Sequence, residues 1–184
     1  MPANLEIKAK LPDPAAAHRC AAELSPRPHS VERQVDTYFT VPRGRLKLRR
    51  RWIADEPWIG AVPHREQPCE LIAYGRPDAD GARRSDYLLL PLPPECRVDD
   101  VLELAAGRDA RVEKTRTVFL HDNVRIHVDE VEGLGSFLEL EAILDELCDE
   151  RAAARKIGRL RAHLGVRDED LIAGSYRELI RARG

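Results

Sequence analysis

What most constrains this chain is an alternation that recurs along its length, with apolar residues on one side of a strand and charged residues on the other. Residues 4 to 11 show it first: Leu5, Ile7, Ala9 and Leu11 take one face, and Asn4, Glu6, Lys8 and Lys10 take the other. A period of two marks a β-strand with two unlike faces. The pattern returns in RLKLRRRW at 45 to 52, where Lys47, Arg49 and Arg51 share a face. It returns again at 112 to 120 with Lys114 and Arg116, at 123 to 131 with Arg125, His127 and Asp129, and at 136 to 144 with Glu139 and Glu141. Further extended segments at 32 to 39, 70 to 76 and 87 to 92 bring the expected strands to about eight, joined mainly as hairpins.

Taken singly, each charged face reads as a solvent face. The helical segments argue otherwise. Pro12, Asp13 and Pro14 end the first strand and open an Ala-rich helix to about Leu24. Helical spacing runs from Asp99 to Ala106 and stops at Gly107, and two amphipathic helices are expected over 145 to 164 and 168 to 181, divided by Gly165. Residues 53 to 68, with three Pro, read as a long irregular loop. Amphipathic helices need an apolar surface to lie on. If they cover the outside of a closed sheet, the charged residues turn inward. The expected fold is therefore α+β: a closed eight-stranded antiparallel β-barrel, a tunnel, with flanking helices.

A lumen that holds carboxylates and cations together is costly unless a ligand and a metal complete the pairing. A chain of phosphates with Mg²⁺ or Mn²⁺ suits it. A Glu-x-Glu pair on one strand face offers a hard cation two donors roughly 7 Å apart. Arg and Lys neutralise phosphate oxygens and the charge that grows on a leaving group.

Composition excludes other classes. The 184 residues suit one domain, 1 to 184, and a net charge of -2 within a 34% charged fraction lacks the basic surplus of a general nucleic-acid or membrane binder. Cys20, Cys69, Cys96 and Cys148 have no metal-ligand spacing and read as free thiols of a reducing cytosol. The N-terminus has no cationic and apolar leader, and no apolar run reaches membrane-spanning length, so a cytoplasmic protein is expected. Only five of the 30 basic residues are Lys, and four of them, Lys8, Lys10, Lys47 and Lys114, lie in the charged strands.

These segments resemble the CYTH superfamily, the triphosphate tunnel metalloenzymes. The motifs that carry the resemblance are NLEIK at 4 to 8, DTYF at 36 to 39, GRLKLRRR at 44 to 51, LIAYGRPD at 71 to 78, EKTR at 113 to 116, RIHVDEVEGLGSFLELE at 125 to 141 and LIAGSY at 171 to 176. The resemblance implies a tunnel that binds a small-molecule triphosphate with Mg²⁺ or Mn²⁺. It implies Glu6, Glu139 and Glu141 as metal ligands with Asp129 as a weaker one. Lys8, Lys10, Lys47, Arg49, Arg76, Lys114, Arg116 and Arg125 would line the phosphate path, with Lys10 and Arg51 equally placed for the rim. Glu6, Lys8, Arg49 and Lys114 would stand nearest the chemistry. The expected activity is hydrolysis of a phosphoanhydride bond. A class IV adenylyl cyclase, making cyclic AMP and pyrophosphate, is the alternative within the same tunnel, and a non-catalytic triphosphate-binding protein is the third reading. A homodimer is compatible with all three. Asn4 stands where the family motif has its first Glu, so a second metal would be held poorly, since an amide oxygen brings no charge.

Other residues receive plainer readings. His127 is expected to be a hydrogen-bonding wall residue rather than a general acid or base. Tyr38 and Tyr74 are expected to pack rather than to stack on a substrate ring. Gly133 and Gly135 are expected to be turn glycines, and Ser85 and Ser175 receive no chemical role.

Overall fold

The alternation of the first strand decides which way the sheet faces. In the computed structural model, which describes residues 3–75 and 82–183, Leu5, Ile7 and Ala9 lie in a buried apolar cluster with Phe119, Ile126, Val128, Leu138 and Leu140. The same cluster takes Ala17 and Ala21 from α1 (Pro14–Leu24) and Ala153, Ile157 and Leu160 from α3 (Glu150–His163). The apolar faces of β1 (Ala3–Lys10), β8 (Val124–Val131) and β9 (Gly135–Leu144) therefore point outward to the helices. Each large side chain buried there contributes roughly 1.5–3 kcal/mol. The charged faces are left to the inside.

The remaining strands are β2 (Ser30–Phe39), β3 (Arg45–Ile53), the two-residue β4 (Arg65–Glu66), β5 (Cys69–Gly75), β6 (Arg83–Leu92) and β7 (Arg108–His121). Their order is β2-β7-β8-β9-β1-β6-β5-β3-β4, and an added β2–β3 pairing closes eight of them into a barrel. Every pairing is antiparallel. Closure removes the edges an open sheet would expose, and eight strands leave an interior wide enough for one small ligand. The expected fold class holds.

Helix ends follow local chemistry. Asp13 caps α1 by accepting from the Ala16 amide at 2.9 Å, with Pro14 at the first helical position, and Asp149 caps α3 through Ala152 at 2.7 Å. On the other side α2 (Val98–Ala106) sits over Phe39, Leu48 and Cys69 through Leu102 and Ala106. Arg50 joins its approach to β3 by donating to the carbonyls of Pro94 at 2.7 Å and Cys96 at 2.9 Å.

Several boundaries differ from the sequence expectation, among them the helix expected from 145, which begins at Glu150. β7 starts at Arg108, directly after Gly107, and β6 starts at Arg83, inside a run rich in turn residues. The expected helix over 168 to 181 divides into a 3₁₀ turn at Asp168–Asp170, an extended stretch, and α4 (Tyr176–Arg181). The stretch is drawn onto the barrel: Leu171 bridges Ala9, the Ile172 amide donates to the Lys8 carbonyl at 2.9 Å, and Gly174 turns with φ +86. β4 supplies a little order within the 53 to 68 loop, pairing with Trp52 and Ile53.

Candidate functional site

The inward faces enclose a cavity of about 620 Å³, within the ~300–1,000 Å³ usual for a small-molecule site. One end is its mouth, where β1 begins and β9 finishes, with Asn4, Asp122, Arg125, Ile143 and Leu89. At the other end α4 packs against the start of β7, and Tyr176 meets Phe137, Val112 and Tyr38. Strand order then divides the wall. β9 and β1 stand four places round the ring from β3 and β2. The carboxylates of Glu6 and Glu141 therefore face across the lumen toward the cations of β3, while Glu139 reaches Arg116 of β7 directly.

The cationic wall rests on two carboxylates. Asp36, on β2 between β3 and β7, accepts from Lys47 Nζ at 2.8 Å and from Arg49 Nε at 2.7 Å and Nη2 at 2.8 Å. Burial alone would raise its pKa, but Arg49 and Lys47 outweigh burial and hold the carboxyl well below the usual range. Asp129 accepts from Arg116 Nε and Nη2 at 2.6 Å each and from the Tyr176 hydroxyl at 2.8 Å, with Lys114 Nζ at 3.6 Å. These pairs fix the guanidinium planes and leave two lysines short of compensation. Burial and the adjacent Arg49 lower Lys47 to about 8, despite its bond to Asp36. Burial and Arg116 lower Lys114 to about 7. Both lysines would gain from an anion in the lumen.

The acidic wall is less uniform. Glu139 lies 3.1 Å from Lys8 Nζ and accepts from Arg116 Nη2 at 2.7 Å, and against the penalty of burial these partners hold its carboxyl well below the usual range. Lys8 Nζ also lies 3.8 Å from the Tyr176 ring centroid, a cation–π contact. Glu141 is paired in register with Glu6 across β1 and β9, accepts from the Asn4 amide, and has Arg125 at 3.5 Å and His127 Nε2 at 3.9 Å. The Asn4 Oδ1 is buried and has no hydrogen-bond partner. The neighbouring carboxylates of Glu6 and Glu141, beside an unsatisfied amide oxygen, form an all-oxygen donor set that suits a hard divalent cation. Among the described residues no three acidic or His side chains stand ready as a complete metal site, so phosphate or water oxygens would have to fill the shell.

Glu6, Lys8, Lys47, Arg49, Lys114, Arg116, Arg125, Glu139 and Glu141 all line the cavity. Arg76 lies outside the described residues. Two expected site residues are not part of the cavity lining. Lys10 follows the right alternation but is the last residue of β1 and is exposed. Asp129 is fully buried, and its oxygens accept from Arg116 and Tyr176. His127 is a buried wall residue whose pKa is lowered by burial and by Arg116, but its Nδ1 has no hydrogen-bond partner; Tyr38 packs in the apolar cluster at the closed end. Gly133 and Gly135 turn the β8–β9 hairpin with φ +71 and +96.

Sequence reasoning missed Asp36 and Tyr176, both inside motifs it had singled out for other reasons. It also missed Glu32, which is held by Gln34 at 2.6 Å and Ser30 at 2.7 Å. Arg83, 2% exposed and paired in register with Glu6, was hidden in the turn-rich run.

A family model for the CYTH domain matches residues 3–176. A search of curated proteins finds no match. Among solved structures, a protein from Pyrococcus furiosus shares 26% identity over 96% of this chain and 99% of its own, with a TM-score of 0.74. A protein from Pyrococcus horikoshii shares 22% identity over 96% and 99%, with a TM-score of 0.75. A Hippeastrum protein, described as revealing a dominant triphosphatase activity behind an adenylyl cyclase assignment, shares 17% identity over 100% and 96%, with a TM-score of 0.60.

Proposed function

Because this chain belongs to the CYTH domain family, we propose that it is a divalent-metal-dependent phosphohydrolase acting on a triphosphate bound in the barrel lumen. The observation that carries this reading is the opposition of the two walls: Glu6 and Glu141 on β1 and β9, against Lys47, Arg49, Lys114 and Arg116 on β3 and β7. A phosphate chain fits between them because each wall supplies what it lacks. Glu6 and Glu141, with the Asn4 amide oxygen, would hold Mg²⁺ or Mn²⁺, whose charge neutralises phosphate oxygens when bound. Arg49 and Arg116, fixed by Asp36 and Asp129, orient the chain through paired N–H groups. Lys47 and Lys114 place their ammonium groups against non-bridging oxygens and are fully protonated once an anion arrives.

In hydrolysis water attacks the terminal phosphorus in line, the anhydride P–O bond breaks, and charge collects on the departing diphosphate oxygen. Prefixed cations favour that step because they need no reorganisation as the charge develops. The triphosphatase activity described for the Hippeastrum protein supports hydrolysis on this fold over cyclisation. A second reading, binding without turnover, rests on Asn4: its amide donates to Glu141 and so occupies an oxygen that a metal would use.

Purified protein incubated with tripolyphosphate, ATP and thiamine triphosphate, each with Mg²⁺ or Mn²⁺, separates these readings. Phosphate release that requires the metal is expected. Cyclic AMP and pyrophosphate from ATP would instead make the chain a cyclase. Tight binding without either product would make it a sensor.

A further inference from the structure

The lumen is not charged all round. β5 and β6 stand between the acidic strand β1 and the cationic strand β3, and they present two cross-strand pairs to the cavity, Ile72 with Leu89 and Tyr74 with Tyr87. Ser85, opposite Asn4, continues this face. Side chains paired this way sit about 4.5–5.5 Å apart at Cβ and form one surface. Tyr74 leans toward the closed end and joins the apolar cluster there. Ile72, Tyr87 and Leu89 belong to none of the apolar clusters of the fold, and Leu89 is 46% exposed at the mouth. An apolar strip set between the charged walls contributes nothing to holding a bare phosphate chain.

We propose that the Ile72, Tyr87 and Leu89 strip is the specificity-determining surface of the site, and that it receives the organic group of a triphosphate ester while the phosphates lie between the charged walls. This inference rests on the lumen being a triphosphate site. The register supports the division of labour: Ile72 is paired with Lys47 across β5 and β3, so the strip adjoins the cationic wall. A flat ring laid on Tyr87 and Leu89 would leave its phosphates against the cationic wall, at Lys47 and Arg49. Both a nucleoside and thiamine offer such a ring, and inorganic tripolyphosphate offers none.

The test is titration calorimetry in Mg²⁺ with three probes, tripolyphosphate, ATP and thiamine triphosphate, on the wild-type chain and on Leu89→Ala and Tyr87→Ala. Leu89 is exposed enough that its truncation leaves the fold intact even if the Tyr87 variant proves unstable. The expected result is that affinity for ATP or for thiamine triphosphate falls about tenfold while affinity for tripolyphosphate is unchanged, and the ester that responds identifies the ring the strip receives. The inference is overturned if all three ligands weaken together or if neither ester responds, outcomes that leave the triphosphate reading standing. Should the wild-type chain bind none of the three, the triphosphate reading itself fails and this inference falls with it.

Discussion

Asp36 and Asp129, beneath the cations of β3 and β7, each accept a bidentate guanidinium and at least one further donor. Glu141, on the opposite wall, has Arg125 only at 3.5 Å and His127 at 3.9 Å, beside its bond from Asn4. All three are carboxylates turned into the same barrel. What separates them is saturation. A carboxylate whose lone pairs are filled by fixed cations organises those cations, whereas one that keeps an oxygen for a ligand can join a metal site. Substitutions on the two walls should therefore fail in different ways.

The largest effect is expected at the saturated end. Asp129→Ala strips Arg116 of its bidentate partner and leaves Lys114 and the Tyr176 hydroxyl without theirs, all inside the protein. Breaking a buried pair from one side costs about 3–5 kcal/mol, because an uncompensated charge stays behind. Urea denaturation should show a loss of that size whether or not metal is present. A loss that appeared only with metal would mean that Asp129 is a ligand after all.

Next in size is Glu141→Gln. The amide keeps the shape of the side chain and its ion pair with Arg125 is long and partly exposed, so stability should change by less than about 1 kcal/mol. Metal-dependent phosphate release should fall by about 100-fold, as when one preset electrostatic contact to a transition state is removed. If Glu141→Gln and Asp129→Ala lost stability equally, the contrast between the walls would collapse.

The sequence makes the strand faces legible and leaves this contrast hidden, for a physical reason. Alternation in 4 to 11 and 45 to 52 sets which side chains share a face, and the helices 14 to 24 and 150 to 163 require an apolar outer surface, so inward charge follows from local pattern. Saturation depends on which strands become neighbours. Asp36 is an ordinary polar residue in an extended segment until β2 is known to lie between β3 and β7. Tyr176 reaches Asp129 across 47 positions of chain, from a segment whose helical composition concealed its extended approach. Arg83 lay among Pro, Asp and Gly residues that read as a turn. Lys10 shows the opposite case: it keeps the period and still pairs with Phe137, but as the last residue of β1 it is exposed and absent from the cavity lining.

Asn4 lies between the two behaviours and sharpens the comparison further. Its amide group occupies one oxygen of Glu141 while its own Oδ1 goes unsatisfied in a buried place. Asn4→Glu replaces the donor with a third carboxylate beside Glu6 and Glu141. Without metal the three like charges should repel and lower thermal stability. With Mg²⁺ or Mn²⁺ the added charge should tighten metal binding by about tenfold, since affinity for hard cations rises with ligand charge. Metal titration followed by thermal unfolding reads both halves. Tighter binding accompanied by faster phosphate release would mark Asn4 as what limits the native site, whereas unchanged metal affinity would place the metal away from β1.

The smallest expected effect concerns the lysines that saturation leaves short. Lys114 sits at about 7 and Lys47 at about 8, both depressed by burial and by neighbouring arginines. Below those values the ammonium groups are charged and attract an anion. As pH rises through 7 to 8 they lose their protons in the empty site, and binding a triphosphate must then draw the protons back from solvent. Affinity for tripolyphosphate should therefore decline by about tenfold between pH 7 and pH 9, with proton uptake visible as a buffer-dependent heat. Arg49 and Arg116 stay charged throughout that range, so the decline should be partial. Lys114→Arg, which keeps its charge at pH 9, should flatten the profile. A profile equally steep in that variant would assign the pH dependence to Lys47 alone.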